Sequence, residues 1–205
     1  MIRIITDSAA DLSPAEYEAL RITCIPLTVM FGDAEYRETV NLTKDQFYEL
    51  LLASEHPPKT SQSSPQVLME LFEEAHAAGD SAIYITLSSA LSGTYQNAVM
   101  TKNLLGYEDC HVVDSRNATG AQRMILEYAV RLRDEGKTAQ EIIAATEDLR
   151  DRVRLFACID TLEYLYKGGR ISQTAYKLGT LANIKPIITV ELDGSIGIPA
   201  KAMGR

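Results

Sequence analysis

The sequence predicts an α/β fold in which an N-terminal, mostly parallel sheet carries helices on both faces and is followed by antiparallel strands. Short β-branched runs alternate with helix patterns up to about residue 150, as in parallel sheets with helical crossovers. The pattern changes from residue 155, and a hairpin signal at Asp193 and Gly194 follows near the end. We therefore expect an α/β domain over residues 1–154 and the start of a second, incomplete α+β domain over residues 155–205.

Helix-start signals mark the first elements. Residues 2–6 form a β-branched run that predicts a strand. The sequence SPAE at residues 13–16 then supplies an N-cap serine, a proline at the first helical position and a capping-box glutamate. Residues 25–31 predict a second strand that ends at a Gly-Asp turn, and TKDQ at residues 43–46 predicts the start of a second helix.

Strand and helix patterns continue to alternate from residue 64 to residue 150. Ser64 with Pro65 predicts the start of a helix whose apolar residues recur at helical spacing up to Ala78. The signals that follow are a strand run, a helix, another strand run and two more helices, at residues 82–87, 95–105, 110–113, 121–135 and 138–150. Crossovers of this length join parallel strands, so these elements belong to the predicted parallel sheet.

The chain beyond residue 155 follows a different pattern. An apolar run at residues 155–159 and a short helix pattern from Leu162 come first, and a Gly-Gly pair ends that helix. Residues 184–190 predict a strand, and the hairpin turn leads into a further strand run at residues 196–198. Two strands joined by a tight turn must pair antiparallel, which indicates a second domain.

Composition and charge exclude several classes of function. The 205 residues carry 20 Lys and Arg against 28 Asp and Glu, and this net charge of −8 gives no electrostatic footprint for nucleic acid. No apolar run reaches the length of a membrane span or of a signal-peptide core, so we expect a cytoplasmic protein without stable membrane insertion. The 3 cysteines lie far apart in apolar runs, which indicates buried, reduced thiols.

Hydroxyl-bearing residues cluster before two helix patterns. One cluster is SSALSGTY at residues 88–95, which follows a strand run, and the other is TSQSS at residues 60–64. A turn from a strand into a helix directs free backbone N–H groups and the positive end of the helix dipole to one point, which suits an anion. Open α/β sheets bind ligands at the carboxyl ends of their strands, where this chain has the polar residues Asp7, Ser8, Asp114 and Ser115.

The residues themselves leave three interpretations of these clusters open. The hydroxyls can hold an anion, or they can only cap helices in an interaction domain, which predicts a collapsed cleft. Alternatively, Ser92 is the nucleophile of a serine-dependent esterase or acyltransferase, although it lacks the Gly-x-Ser-x-Gly elbow. His56, His76 and His111 lie in a loop, a helix pattern and a strand run, so none is an evident catalytic base.

The sequence gives no sign of a metal or cofactor site. No pair of histidines or cysteines has metal-ligand spacing, and the carboxylates of Asp7 and Asp114 are isolated. A glycine-rich Walker loop is also missing. We therefore expect neither a metal nor a cofactor.

A series of short motifs runs along the whole chain. They are TDS at residues 6–8, PLTV at 26–29, KTSQ at 59–62, LSGT at 91–94, DS at 114–115, LEYL at 162–165 and GGRIS at 168–172. In this order they resemble the DegV family, the bacterial fatty-acid-binding proteins that serve as binding subunits of fatty acid kinase. So many ordered motifs are highly specific to that family.

The resemblance implies a noncatalytic protein that holds a long-chain fatty acid between an α/β N-terminal domain and a C-terminal domain. A separate kinase of the dihydroxyacetone-kinase type then phosphorylates the bound carboxylate to an acyl phosphate. By this similarity the hydroxyls of Thr60 and Ser92 hold the carboxylate, with Ser61 and the backbone amides of Gly93 and Thr94 close by. The strand-end residues named above are possible pocket or supporting residues.

The resemblance also implies a docking residue. This chain departs from the pattern of the family at two points. Arg170 would lie at the surface near the pocket mouth, as a candidate for kinase docking. Ser63 stands where family members commonly have proline, which predicts a slightly looser loop. The family usually continues for several tens of residues beyond the point where this chain stops, which predicts an incomplete second domain and far wall of the pocket.

Overall fold

The structure is a computed structural model that describes residues 1–179 and 184–203. In chain order the strands are β1 (Ile2–Asp7), β2 (Ile22–Ile25), β3 (Thr28–Phe31), β4 (Ala34–Arg37), β5 (Lys59–Ser61), β6 (Ser81–Thr86), β7 (Cys110–Asp114), β8 (Phe156–Cys158), β9 (Ile184–Val190) and β10 (Ile196–Met203). The helices are α1 (Pro14–Ala19), α2 (Lys44–Ala53), α3 (Pro65–Ala77), α4 (Thr94–Leu105), α5 (Thr119–Asp134), α6 (Ala139–Arg152), α7 (Glu163–Lys167) and α8 (Gln173–Gly179).

Four parallel strands form the central sheet, in the order β2, β1, β6, β7. Successive residues of a strand face opposite sides, so β1 directs Ile4 into one buried cluster and Ile5 into the other. Helices α1, α5 and α6 contribute to the first cluster, and α3 and α4 contribute to the second. The predicted parallel sheet with helices on both faces is therefore confirmed.

Three helices begin where their capping signals predict. Ser13, Thr43 and Thr138 each accept a hydrogen bond from the third amide of α1, α2 and α6, respectively. The glutamate or glutamine at that third position accepts one from the amide of the cap residue in return. Within residues 1–179 and 184–203, no helix is long and apolar enough to cross a lipid bilayer.

The segment between β2 and α3 departs from the predicted parallel arrangement. Residues 25–31, predicted as one strand, form the end of β2 and all of β3, with Pro26 between them. Proline has no amide hydrogen to donate to a ladder, so the chain leaves the parallel sheet there. β3 pairs antiparallel with β4 and β5 in a separate sheet. The pattern did not reveal β4, because its sequence AEYR includes two charged residues and none that is β-branched.

The last three strands form an antiparallel sheet in the order β10, β9, β8. Its core contains Leu162, Ile171 and Ile188, and α7 and α8 pack against it. The predicted hairpin turn at Asp193 and Gly194 is confirmed between β9 and β10. Helix α8 was not predicted, because its short sequence carries little helical periodicity.

The boundary between the two units falls in a short connection. Helix α6 ends at Arg152, and β8 begins at Phe156. The core clusters on either side of the parallel sheet include residues up to Val153, whereas the third cluster begins at Ala157. We therefore keep residue 154 as the proposed end of the first domain.

The three cysteines are free thiols that differ in burial. Cys110 is buried and Cys24 is half-buried, whereas Cys158 is exposed. The prediction of a buried thiol was wrong for Cys158, because β8 is an edge strand of its sheet. Phe156 on the same strand is 65% exposed.

Candidate functional site

A cleft of about 940 Å³ lies between the loop that follows β6, the β3–β5 pair and the α7 region of the second unit. Small-molecule pockets span about 300 to 1,000 Å³, so this cleft has room for a ligand. Its apolar lining includes Leu27, Met30, Phe47, Leu51 and Leu165. An open cleft contradicts the collapsed cleft expected of a protein whose hydroxyls only cap helices.

The first hydroxyl cluster reaches the cleft because residues 59–61 form β5. Thr60 and Ser61 pair with Val29 and Thr28 of β3. Thr60 and Ser61 are both exposed and line the cleft. Strand pairing therefore fixes the backbone at this cluster while its hydroxyls stay accessible.

Ser63 anchors the segment between β5 and α3. It is buried, and its hydroxyl donates a hydrogen bond to the carbonyl of Pro26. The Asn97 side chain on α4 donates from Nδ2 to the Ser63 carbonyl over 3.1 Å. The Ser63 hydroxyl makes a hydrogen bond that a proline could not make, and the expectation that serine loosens this loop stays a prediction.

The second hydroxyl cluster forms the loop between β6 and α4. The hydroxyls of Ser92 and Thr94 lie 2.9 Å apart, and the Thr94 amide donates to Ser92 Oγ over 3.3 Å. Gly93 occupies the N-cap position of α4, and no side chain caps that helix. The Ser64 side chain likewise makes no capping hydrogen bond at α3. Neither helix start therefore has the capping box of α1, α2 and α6, although Ser92 Oγ accepts from the first amide of α4.

Gly93 brings the two clusters into contact. A Cβ atom at this position would lie 2.5 Å from Oε1 of Gln62, the residue that follows β5. Gln62 and Gly93 both line the cleft. The absence of a side chain at Gly93 thus lets the first cluster approach the start of α4 closely.

Asp7 supports the loop between β6 and α4. Its carboxylate is fully buried and accepts hydrogen bonds from the Leu87 amide over 2.7 Å, from the Ala9 amide over 3.2 Å and from Gln122 Nε2 over 3.2 Å. Burial raises the pKa of Asp7 to about 6, although these hydrogen bonds act in the opposite direction. Because this pKa lies above that of an unfolded chain, the protonated form stabilises the fold at low pH, and this stabilisation is lost as the pH rises through 6.

The other strand-end residues also hold backbone segments. Ser8 accepts a hydrogen bond from the Leu27 amide over 3.0 Å and donates to the Glu38 carboxylate over 2.5 Å. Asp114 accepts from the Ser89 amide over 3.1 Å, which fixes the start of the second cluster. Ser115 is fully buried and exchanges hydrogen bonds with the backbone of Asn117. None of these three, nor Asp7, lines the cleft.

Two contacts join the second unit to the loop between β6 and α4. Arg170 is half-exposed at the cleft, donates from Nε to the Leu91 carbonyl over 3.0 Å and also donates to the Gly168 carbonyl. The fully buried Ser88 donates from Oγ to the Gly194 carbonyl over 2.8 Å. The conformation of the second hydroxyl cluster therefore depends on both units.

The surroundings of Ser92 give no support to nucleophilic catalysis. Its hydroxyl hydrogen bonds to the hydroxyl and amide of Thr94, and no histidine of the described residues hydrogen bonds to it. The described residues also include no group of three or more His, Cys, Asp or Glu side chains that could hold a metal ion. An activated serine needs an adjacent base, so this arrangement suits binding better than covalent chemistry.

Comparison with known proteins agrees with the ordered motifs. A family model described as an uncharacterised protein of the DegV family matches residues 1–205. The chain belongs to the DegV family. A DegV domain-containing protein of Caldanaerobacter subterraneus subsp. tengcongensis is 36% identical over 204 residues, which are 100% of this chain and 72% of that protein. One from Clostridium perfringens is 35% identical over 98% of this chain and 71% of its own length.

Three solved structures share the fold of this DegV-family chain. A stearic acid-binding protein from Eubacterium ventriosum has a TM-score of 0.91 at 29% identity, over 100% of this chain and 72% of that one. A fatty-acid-binding DegV family protein from Thermus thermophilus has a TM-score of 0.88 at 31% identity, over 99% and 72%. The fatty acid kinase B3 protein of Streptococcus pneumoniae, loaded with linoleic acid, has a TM-score of 0.85 at 25% identity, over 100% and 73%.

The predicted site residues of this DegV-family chain fall into two groups. The cleft is lined by Thr60, Ser61, Ser92, Gly93 and Arg170. Thr94 is buried behind Ser92, and the four strand-end residues hold loops in place. Their roles toward a ligand stay predictions.

Sequence reasoning missed one residue that connects α4 to the first hydroxyl cluster and two lysines that bring positive charge to the cleft. Asn97 was overlooked, because nothing local in the sequence marks it as buried or as the donor to the Ser63 carbonyl. Lys59 and Lys167 line the cleft beside Arg170, and neither lysine was predicted to act at the site. Lys59 could have been found from its position next to Thr60, but nothing local marks Lys167.

Proposed function

We propose that this protein binds a long-chain fatty acid in the cleft, with the carboxylate between the two hydroxyl clusters. The observation that carries the proposal is the joint presence of Thr60, Ser61, Ser92 and Gly93 on the lining of one cleft that also has apolar walls. The Thr94 amide already donates to Ser92 Oγ, but the N-cap residue Gly93 has no side chain, so the amides of α4 that follow Thr94 are available to an anion. An amphipathic anion matches both parts of this lining.

The apolar chain supplies most of the affinity in this proposal. About 15 methylenes at roughly 0.8 kcal/mol each contribute on the order of 12 kcal/mol. Association costs of about 4 to 15 kcal/mol offset much of this. The hydroxyls and amides then fix where the carboxylate stops, and they set the register of the chain in the cleft.

We further propose that the protein presents the carboxylate to a separate kinase in the cytoplasm. The related Streptococcus pneumoniae protein is named as part of a fatty acid kinase, and its fold supports the same role here. In this reaction a carboxylate oxygen attacks the γ-phosphorus of ATP, a new P–O bond forms, and the bond to the departing ADP breaks. A carboxylate is already ionised near neutral pH, so the binding subunit needs no catalytic base.

Arg170 remains the proposed kinase-docking residue. It is half-exposed at the cleft, next to the loop that would present the head group. Its hydrogen bonds to the Leu91 and Gly168 carbonyls hold the side chain in one position without neutralising its charge. A fixed cation beside the head group would suit recognition of an acidic surface on the kinase.

The variant Thr60→Ala/Ser92→Ala tests the proposal. We expect palmitate affinity, measured by isothermal titration, to fall about tenfold or more, because two hydrogen bonds to a charged group are lost. Phosphorylation by a fatty acid kinase with ATP should fall in parallel. Stability should change little, because Thr60 is exposed and Ser92 is half-exposed.

Thr138→Ala is the matched control, because it removes a hydroxyl that only caps α6. It should cost about 1 kcal/mol of stability and leave palmitate binding intact. Unchanged affinity and unchanged kinase turnover in the double variant would remove Thr60 and Ser92 from the proposed role.

A further inference from the structure

The cleft has a charge that differs from that of the whole chain. The sequence has 28 acidic against 20 basic residues, yet the cleft lining within residues 1–179 and 184–203 contains three cations and no carboxylate. The three cations are Lys59, Lys167 and Arg170. Charged groups of one sign around a cleft raise the local concentration of ligands of the opposite sign. This lining therefore favours an anion more strongly than the neutral hydroxyls do alone.

The three cations differ in how they are engaged. Lys167 Nζ forms an ion pair with Glu163 Oε1 over 2.5 Å. Arg170 donates to two backbone carbonyls, which fixes its position. The side chain of Lys59 forms no hydrogen bond or ion pair with any residue in the ranges 1–179 and 184–203. Its ammonium group is thus the cation of this set that can turn toward a ligand without breaking an existing contact.

The position of Lys59 is fixed by β5. Its backbone pairs with Met30 of β3, and Lys59 lines the same cleft as Thr60, a proposed carboxylate ligand. Lysine carries a compact point charge on a flexible stem with three donors. Such a group can stay in contact with a ligand head group whose size and charge change.

We propose that Lys59 determines specificity for a phosphate-bearing head group over a free carboxylate. This inference rests on the proposed function, in which the γ-phosphoryl group of ATP is transferred to the carboxylate oxygen and ADP leaves. The transfer replaces a head group of one negative charge by a larger acyl phosphate, a mixed anhydride that carries up to two negative charges, as a phosphate monoester does. Attraction to a cation grows in proportion to that charge, so Lys59 holds the phosphorylated form more strongly.

Two ligands with the same chain length test this specificity. Palmitate carries the carboxylate, and hexadecyl phosphate is a stable anion with a phosphate head. In isothermal titrations at pH 7.5 and low salt, Lys59→Gln should weaken hexadecyl phosphate about fivefold and palmitate about twofold, as expected for an exposed ion pair. The difference should shrink at high salt, because screening acts on exposed charges.

Two further variants isolate the role of the charge. Lys59→Arg retains the cation, so its ratio of hexadecyl phosphate affinity to palmitate affinity should stay within about twofold of the ratio of the unaltered protein. Lys137→Gln removes a lysine that lines a separate cavity beside Met1 and Ile2, at the other end of the parallel sheet. It should leave the ratio of the two affinities unchanged, which separates a local effect from one of net charge.

Each outcome decides the question. Equal weakening of both ligands by Lys59→Gln, no weakening of either, or the same change in Lys137→Gln would overturn the specificity assigned to Lys59 and leave fatty acid binding intact. If the unaltered protein bound neither palmitate nor hexadecyl phosphate, the proposed function would fall, and the assignment of Lys59 would fall with it.

Discussion

Replacing Gly194 with alanine should destabilise the protein and loosen the loop between β6 and α4. Gly194 has φ of +86°, and a left-handed backbone costs an alanine roughly 1 to 2 kcal/mol. The new Cβ would also lie 2.2 Å from Ser88 Oγ and 3.3 Å from the Arg116 backbone. Ser88 is fully buried, so relieving this overlap costs about 1 to 3 kcal/mol. Loss of its hydrogen bond to the Gly194 carbonyl costs about 1 kcal/mol more.

The expected total for Gly194→Ala is about 3 to 6 kcal/mol, the sum of these three contributions. Gly136→Ala is the matched control, because Gly136 has φ of +79° and nothing lies within 4 Å of a Cβ built there. It should cost about 1 to 2 kcal/mol from backbone strain alone. Urea unfolding followed by circular dichroism gives both free energies. Equal losses in the two variants would refute the reasoning that the hairpin turn holds the Ser88 loop.

Two further variants test buried polar contacts of the site. Asp7→Asn removes a carboxyl whose pKa is raised to about 6. The free energy of unfolding of the unaltered protein should therefore fall relative to that of the variant by about 2 kcal/mol between pH 4 and pH 7.5. Urea titrations across this range measure the difference, and a constant difference would contradict the prediction. Asn97→Ala removes the donor to the Ser63 carbonyl, so it should cost about 1 to 3 kcal/mol of stability more than the control Asn103→Ala on the exposed side of α4. The urea midpoints of the two variants check this. Equal midpoints would exclude the contact as a stabilising one.

Local signals predicted most of the parallel sheet and its helices. Capping residues act within one helical turn, so Ser13, Thr43 and Thr138 marked their helices correctly. The errors arose where tertiary context decides. Pro26 stops a β-branched run that otherwise reads as one strand, and the edge position of β8 exposes Cys158 despite its apolar neighbours.

The candidate site was predictable in its residue types but not in its connections. The hydroxyls of Thr60 and Ser92 stood out as clusters before helices, and both reach one cleft. The contacts that position them join residues far apart in the chain, such as Arg170 with the Leu91 carbonyl and Ser88 with Gly194. Nothing within one turn of helix or one strand pair encodes such contacts, so only the assembled fold reveals them.

The account depends on a fatty acid carboxylate that lies between the two hydroxyl clusters. The most direct measurement is an electron density map of the cleft from crystals grown with palmitate. We predict continuous, unbranched density that ends about 2.5 to 3.0 Å from the hydroxyls of Thr60 and Ser92. A head group bound away from both hydroxyls, or a cleft without ligand at saturating palmitate, would contradict the account.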